Sequence, residues 1–343
     1  MSKAEIFRVI QENDKAMLMD AEGNFYEDEI AEKFACGDII RIAGEQVRSL
    51  YDAQEHYGTI FITNHCNSNC MMCPDSDSFR SMESDYNLER ILQYIFLLPE
   101  DIGGLDITGG EPTLITYDLP VIVQAVYEKG GYLPVMLLSN GRSFADKSYT
   151  RQFQKFAKRG FYVEIPIHGS TAELHDRITR GKGGFLQTME GIKNLVHARI
   201  KVGIRLVVTK INYQDLKTII HLVSRRFPQI SYINIMGMEC LGNAYSNREQ
   251  VWIEFEQVKE VVEEAVEECM KLGIKPHLYN FPLCLFQEKY WGCYRKSISP
   301  GKVRYLGECE GCGVQKECGG FFHSTSKITK FKPERRMLHA KLL

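Results

Sequence analysis

Short apolar, β-branched runs alternate with amphipathic stretches from residue 59 onward. The runs are TIFIT (59–63), LDIT (105–108), VMLLS (135–139), FYVEIPI (161–167), GIRLVVT (203–209) and SYINIM (231–236). Runs of this length and composition, separated from one another by turn residues, read as strands. Between and after them, residues 87–98, 118–130, 146–159, 185–199, 213–226 and 247–272 place apolar side chains at three- and four-residue steps, the pattern of helices that bury one face. Six strand-then-helix units predict a parallel sheet with its helices outside, because right-handed crossovers stack each helix on the same face. With six units instead of eight, the expected fold is α/β: a partial (β/α)6 TIM-like barrel that curls without closing.

Both flanks depart from this alternation. Residues 1–56 hold a turn signal at AEGN (21–24) and a strand-like DIIRIA (38–43), which predicts a small appended N-terminal element. After Gly273 come Pro276, Pro282 and Pro300, few periodic runs, and five of the eleven cysteines, between 284 and 318. That composition predicts a Cys-rich, loop-rich C-terminal domain held by metal more than by a hydrophobic core. The expected division is therefore 1–56, 57–274 and 275–343. The closing segment KITKFKPERRMLHAKLL reads as a solvated basic end.

Charge narrows the function. With Lys+Arg 42 against Asp+Glu 44, the net charge of -2 supplies no global field for nucleic acid or an anionic membrane. No apolar run reaches the length that spans a bilayer, and MSKAEIFRVI lacks the apolar segment and cleavage site of a signal peptide. The expected location is the cytoplasm, where clustered thiols are metal ligands or catalytic groups more often than disulfides. Cys269 falls on the apolar face of the last helix and reads as a small core residue, as do Cys36 and Cys240.

Cys66, Cys70 and Cys73 follow directly on the first strand, at the end where parallel sheets and barrels carry their chemistry. Structural zinc prefers four protein ligands in two close pairs. An x3-then-x2 spacing with no fourth cysteine nearby can instead wrap three irons of a four-iron cube, leaving one iron open to a ligand that is not protein. At the end of the second strand, paired glycines at Gly109 and Gly110 let the backbone approach a ligand closely.

Cys66-x3-Cys70-x2-Cys73 resembles the signature of the radical S-adenosylmethionine (SAM) superfamily, and Thr108-Gly109-Gly110-Glu111-Pro112 is similar to that family's Gly-Gly-Glu-Pro segment, which contacts the methionine end of SAM. The resemblance implies a SAM-binding [4Fe-4S] cluster on the three cysteines. It also implies contacts to SAM from Gly109, Gly110, Glu111 and Pro112, and from Ser139, Asn140, His168 and Arg205 around its ribose and carboxylate. His175-Asp176-Arg177 looks like the family stretch that fixes the loop after the fourth strand. By the same resemblance, one electron from an external reductant such as flavodoxin or ferredoxin cleaves SAM to methionine and a 5'-deoxyadenosyl radical, which removes hydrogen from the substrate. The cofactor carries the hard step, so no catalytic triad is expected.

Cys309-x2-Cys312-x5-Cys318 is similar to the core of the SPASM auxiliary domains of peptide-modifying radical SAM enzymes, but Phe322 stands where the last cysteine belongs. A one-cluster "twitch" version fits better, with Cys284 or Cys293 as fourth ligand. A looser resemblance of YNFPLCLF, RKSIS and CGGFF to the His-Xaa-Ser-system radical SAM maturases favours Cys284. Zinc on the same residues is the structural alternative to a second [4Fe-4S] cluster. The function that follows is oxidoreductase modification of a peptide or small protein by a ribosomal-peptide maturase, with no nucleic-acid or membrane partner. The alternatives are a radical enzyme acting on a small metabolite or RNA, and a non-catalytic iron–sulfur electron carrier or binding module.

Overall fold

A computed structural model describes residues 6–13 and 15–336. The first five residues of the N-terminal element and residues 337–343 of the basic tail lie outside the described residues. Five strands come first: β1 (Ile6–Glu12), β2 (Lys15–Met19), β3 (Phe25–Tyr26), β4 (Ile39–Ala43) and β5 (Gln46–Tyr51). They form an antiparallel sheet in the order β3-β2-β1-β4-β5. Phe7, Val9, Leu18, Ala31 and Ile40 give it a core of its own, while Ile6, Ile39 and Tyr51 pack into the main core of the molecule. Cys36 departs from the expectation of a core residue: it is exposed, in the turn before β4.

The parallel sheet follows in chain order: β6 (Tyr57–Phe61), β7 (Gly104–Thr108), β8 (Val135–Leu138), β9 (Phe161–Pro166), β10 (Lys201–Val207), β11 (Tyr232–Met236), β12 (Lys275–Tyr279) and β13 (Tyr294–Arg295). All six runs read from the sequence are strands of it, and two short strands extend it. Its end strands β6 and β13 do not pair, so the sheet is a curled half-barrel open at one side. Register sorts its side chains into rows. Ile60, Ile107, Leu137, Val163 and Val202 stand side by side across five strands and are buried on the convex face. Removing each such side chain from water contributes roughly 1.5–3 kcal/mol. In the neighbouring row, Thr59, Asp106, Met136, Tyr162 and Lys201, the last four line the concave side.

Two of the expected helices are broken. Over 146–159 a short helix (Lys147–Arg151) gives way to a 3-10 turn (Gln154–Phe156), where Phe144, Tyr149, Phe153, Phe156 and Phe161 pack ring against ring. Over 247–272 the chain stops at Val251 and restarts at Phe255, with Glu254 and Gln257 forming a capping box. Cys269, on the helix Phe255–Lys271, is fully buried as expected, and Cys240 is buried too.

The C-terminal segment is built onto the barrel. The boundary expected at 274/275 falls immediately before β12, so the main sheet runs across it. Phe281, Phe321 and Phe331 pack around Phe255 of the long helix, and Phe286 packs on Phe281. The segment thus shares the hydrophobic core of the barrel. The remaining pair, β14 (Val303–Arg304) and β15 (Phe321–Phe322), forms a small hairpin-like ladder.

Candidate active site

The loop after β6 carries Cys66, Cys70 and Cys73, and its backbone is held from three directions. From the end of the helix after β9 (Ala172–Thr179), the Thr179 and Ile178 carbonyls accept from the N–H groups of Asn69 (2.9 Å) and Met71 (2.9 Å). From the segment after β11, Ala244 N–H donates to the Cys73 carbonyl (3.0 Å), Asn247 Nδ2 to the Met71 carbonyl (3.1 Å), and Asn243 Nδ2 to Asn69 Oδ1 (2.9 Å). From the loop after β8, Arg142 Nη1 donates to the Asn67 carbonyl (2.5 Å) and Asn140 Nδ2 to Asn67 Oδ1 (2.6 Å). Arg80 donates to the Ser68 carbonyl (2.8 Å) from within the loop itself.

The three thiols act on one another. Burial pushes Cys70 up to about 12, with Cys73 and Cys66 adding to it; burial likewise pushes Cys73 up to about 11 and raises Cys66. Arg80 opposes the rise at all three. Thiols near enough to raise one another's pKa are held as three thiolates only when cationic charge lies among them, as metal would supply. Of the other eight cysteines, Cys269 and Cys293 lie in the core, Cys240 beside Thr325, four line a second cavity, and Cys36 is exposed. The donor set therefore suits a cluster held at three corners.

Gly109 and Gly110 lie directly against this loop. Gly109 has φ +147°, and a Cβ on Gly110 would stand 2.2 Å from the His65 carbonyl oxygen and 2.7 Å from that of Asn64. Gly110 N–H donates to the Thr63 carbonyl (2.6 Å) and Glu111 N–H to the His65 carbonyl (2.8 Å), so the β6–β7 ladder continues beyond both strands. Pro112 is buried at the start of a 3-10 turn. Glu111, 1% exposed, spends its carboxylate on the protein: Oε1 accepts from Thr113 N–H (3.1 Å), Thr113 Oγ1 (2.6 Å) and Ser139 Oγ (2.8 Å), and Oε2 accepts from Asn140 N–H (2.7 Å). Burial raises its pKa while these donors lower it. In this arrangement Glu111 and Ser139 lock the loops after β7 and β8 together, and the glycines lie beside the cysteines.

This lock gives a prediction. Glu111→Ala should cost about 3 kcal/mol or more in denaturant unfolding, because it strands two buried hydroxyls and two N–H groups. A loss under about 1 kcal/mol would show that water replaces the carboxylate without penalty.

The other expected contacts are more dispersed. His168 is buried at the end of β9 against His175 (5.6 Å between ring centres); burial holds it well below the ordinary histidine range, and it is neutral. Asp176 accepts from Gly183 and Phe185 N–H groups, each at 2.7 Å, and so fixes the loop as its sequence suggests. Arg205 faces the concave cavity, with Nε 3.3 Å from Met236 Sδ and 3.7 Å from Glu164 Oε2. Arg80, Arg142, Asn243 and Asn247 have no counterpart in the sequence reading. Arg142 follows Ser139-Asn140-Gly141 directly; the asparagines carry no local signal, because what they brace lies over 160 residues away.

Cys284, Cys309, Cys312 and Cys318 line one small cavity with Tyr305 and Phe321. Cys293 does not line it and lies buried near Cys269. Among the described residues, no three His, Cys, Asp or Glu side chains converge closely enough to share a single metal ion.

Residues 60–223 match the radical SAM superfamily. Fe-coproporphyrin III synthase of Methanosarcina barkeri is 24% identical over 227 residues, 64% of this chain and 52% of its own length. Sporulation killing factor maturation protein SkfB of Bacillus subtilis is 27% identical over 165 residues, 47% of this chain and 38% of its own. The chain thus spans about half, or less, of the length of these curated relatives. Among solved structures, native anSMEcpe with bound AdoMet and Kp18Cys peptide is 14% identical, covering 65% of this chain and 63% of that one, with a TM-score of 0.49.

Proposed function

We propose that the chain, whose residues 60–223 match the radical SAM superfamily, is a radical SAM enzyme that modifies a peptide or small-protein substrate. Cys66, Cys70 and Cys73 would hold the SAM-binding [4Fe-4S] cluster, with Gly109, Gly110, Pro112 and Asn140 beside SAM. When bound, cluster and SAM together supply a carbon radical that abstracts hydrogen. The chain's own residues position and shield. Arg80 offsets negative charge at the thiolates, Arg142 and Asn140 fix the cysteine loop, and Glu111 and Ser139 hold the neighbouring loops in register. His168 and Arg205 belong to the surrounding wall.

The observation that carries the peptide reading is the four-cysteine cavity set against the barrel's core. We assign a second [4Fe-4S] cluster to Cys284, Cys309, Cys312 and Cys318, a centre resembling those of ribosomal-peptide maturases. Zinc on the same four thiols is the alternative. The similarity to SkfB, a maturation protein, supports the same reading. A small metabolite is the second reading, favoured by the longer match to Fe-coproporphyrin III synthase. An external reductant such as flavodoxin or ferredoxin completes the scheme. Among the described residues no helix is long and apolar enough to cross a membrane, consistent with a proposed cytoplasmic location.

Metal analysis of anaerobically purified protein should find about eight irons per chain; about four irons with one zinc would defeat the second cluster. Mass spectrometry of candidate peptides incubated with enzyme, SAM and reductant should find a fixed mass change at one residue. Turnover of a metabolite with no peptide modified would favour the second reading.

A further inference from the structure

The concave face of the sheet encloses a cavity of about 700 Å³, flanked by Ser297, Ser299, Lys302 and Phe322 of the C-terminal segment. That volume suits a side chain with part of its backbone. On its wall two tyrosines lie flat across a neighbouring strand, each over a glycine. Tyr57 of β6 covers Gly104 of β7, where a Cβ would meet the ring at 2.4 Å, and its hydroxyl donates to Asp106 Oδ1 at 2.6 Å. Tyr232 of β11 covers Gly203 of β10, where a Cβ would meet the ring at 2.3 Å, and donates to Glu164 Oε1 at 2.8 Å.

The two carboxylates differ in what else they hold. Glu164 also accepts from Asn234 Nδ2 (2.8 Å) and has Arg205 at 3.7 Å. Asp106 has the Tyr57 hydroxyl and, among the described residues, no ion pair. Burial pushes its carboxyl up to about 6, with the Tyr57 hydrogen bond and the Arg205 charge opposing and Glu164 adding to the rise. It is therefore largely charged at neutral pH, and the Arg205 charge that offsets it is shared with Glu164. The cations of the cavity are committed or peripheral: Arg205 to Glu164, Lys302 to Glu239 at 3.4 Å, and Lys201 exposed at the rim. Tyr232 and His277 stand 5.4 Å apart, with Tyr279 packed edge-on against His277; burial holds His277 down to about 4, and it is neutral. Aromatic faces beside an unpaired carboxylate attract a cation.

We propose that Asp106 is the specificity-determining residue of this cavity and receives a cationic side chain of the substrate. That the cation belongs to a peptide rests on the reading given above.

The test uses the iron-loaded full chain with SAM. Ligand-observed NMR compares N-acetyl-lysine methylamide with the methylamide of N-acetyl-2-aminoheptanoic acid, its uncharged isostere with a methyl in place of the ammonium. The lysine probe should bind about tenfold tighter. Asp106→Asn should erase the preference and Asp106→Glu should keep part of it. Equal affinities in the native chain, or a preference that survives Asp106→Asn, would overturn the proposal. A check that needs no variant is the native preference itself, which should decline as pH drops from about 8 to about 5 and Asp106 takes up a proton; a flat profile argues against Asp106. Tyr57, Tyr162, Glu164, Arg205 and Tyr279 are the titratable groups that face it. Comparing n-pentylammonium with n-pentanol separates the two readings: if only the small ammonium binds with preference, the role of Asp106 stands and the peptide reading fails.

Discussion

Cys70→Ala is expected to lower 5'-deoxyadenosine formation from SAM about a thousandfold or more, and to remove about four of roughly eight irons per chain. Cys70 packs against Met71, Ile178, Met238 and Ala244, and the backbone on either side is fixed by Asn69, Met71 and Cys73 hydrogen bonds. A substitute ligand would have to come from a loop that cannot move, and the other cysteines are held in the core, in the second cavity or at the exposed turn of Cys36. Cys36→Ala is the matched control, because it deletes an exposed thiol and should leave iron and turnover unchanged. Retained SAM cleavage in Cys70→Ala would overturn the ligand assignment at its root.

The second large effect is expected at Gly110. An alanine there places Cβ 2.2 Å from one carbonyl oxygen and 2.7 Å from another, both on backbone. Neither oxygen can retreat cheaply, since Gly110 N–H and Glu111 N–H are bonded to the same segment. The overpacking should cost about 3 kcal/mol or more, read by denaturant unfolding of the iron-free chain so that cluster loss does not enter the value. Iron content after reconstitution should also fall, because the only available relief displaces His65 and Cys66. Gly307→Ala, with open space around the added methyl, should change little. If the two variants unfold alike, the close approach of these loops has been misread.

What the sequence disclosed follows from the range of each interaction. Cys66, Cys70 and Cys73 are legible because their spacing is local, and the buried strands because β-branched runs stand out from amphipathic helices. β12 was hidden by Pro276 in a segment, KPHLY, that alternates too briefly to register. The helix Ala172–Thr179 is short and largely polar, so it lacked an apolar stripe long enough to read. The C-terminal segment looked loop-rich because its phenylalanines are scattered, and only folding gathers Phe281, Phe321 and Phe331 around Phe255. Asn243 and Asn247 were silent for the same reason, since a brace defined by a partner far along the chain has no periodicity of its own. The concave lining lay in plain view as single polar letters inside apolar runs, Asp106 in LDIT and Glu164 in FYVEIPI. Its use depends on the glycines opposite, which no run of letters pairs with them.

Those glycines make the depth of the chamber a matter of two missing atoms. With a methyl at position 104 or 203, a phenol ring could no longer recline, and an upright ring would fill space now open to a guest. One base change could thus make the vessel shallower without disturbing a single rung of the ladder beneath it, a route by which related chains could trade long guests for short ones while keeping the same loops above.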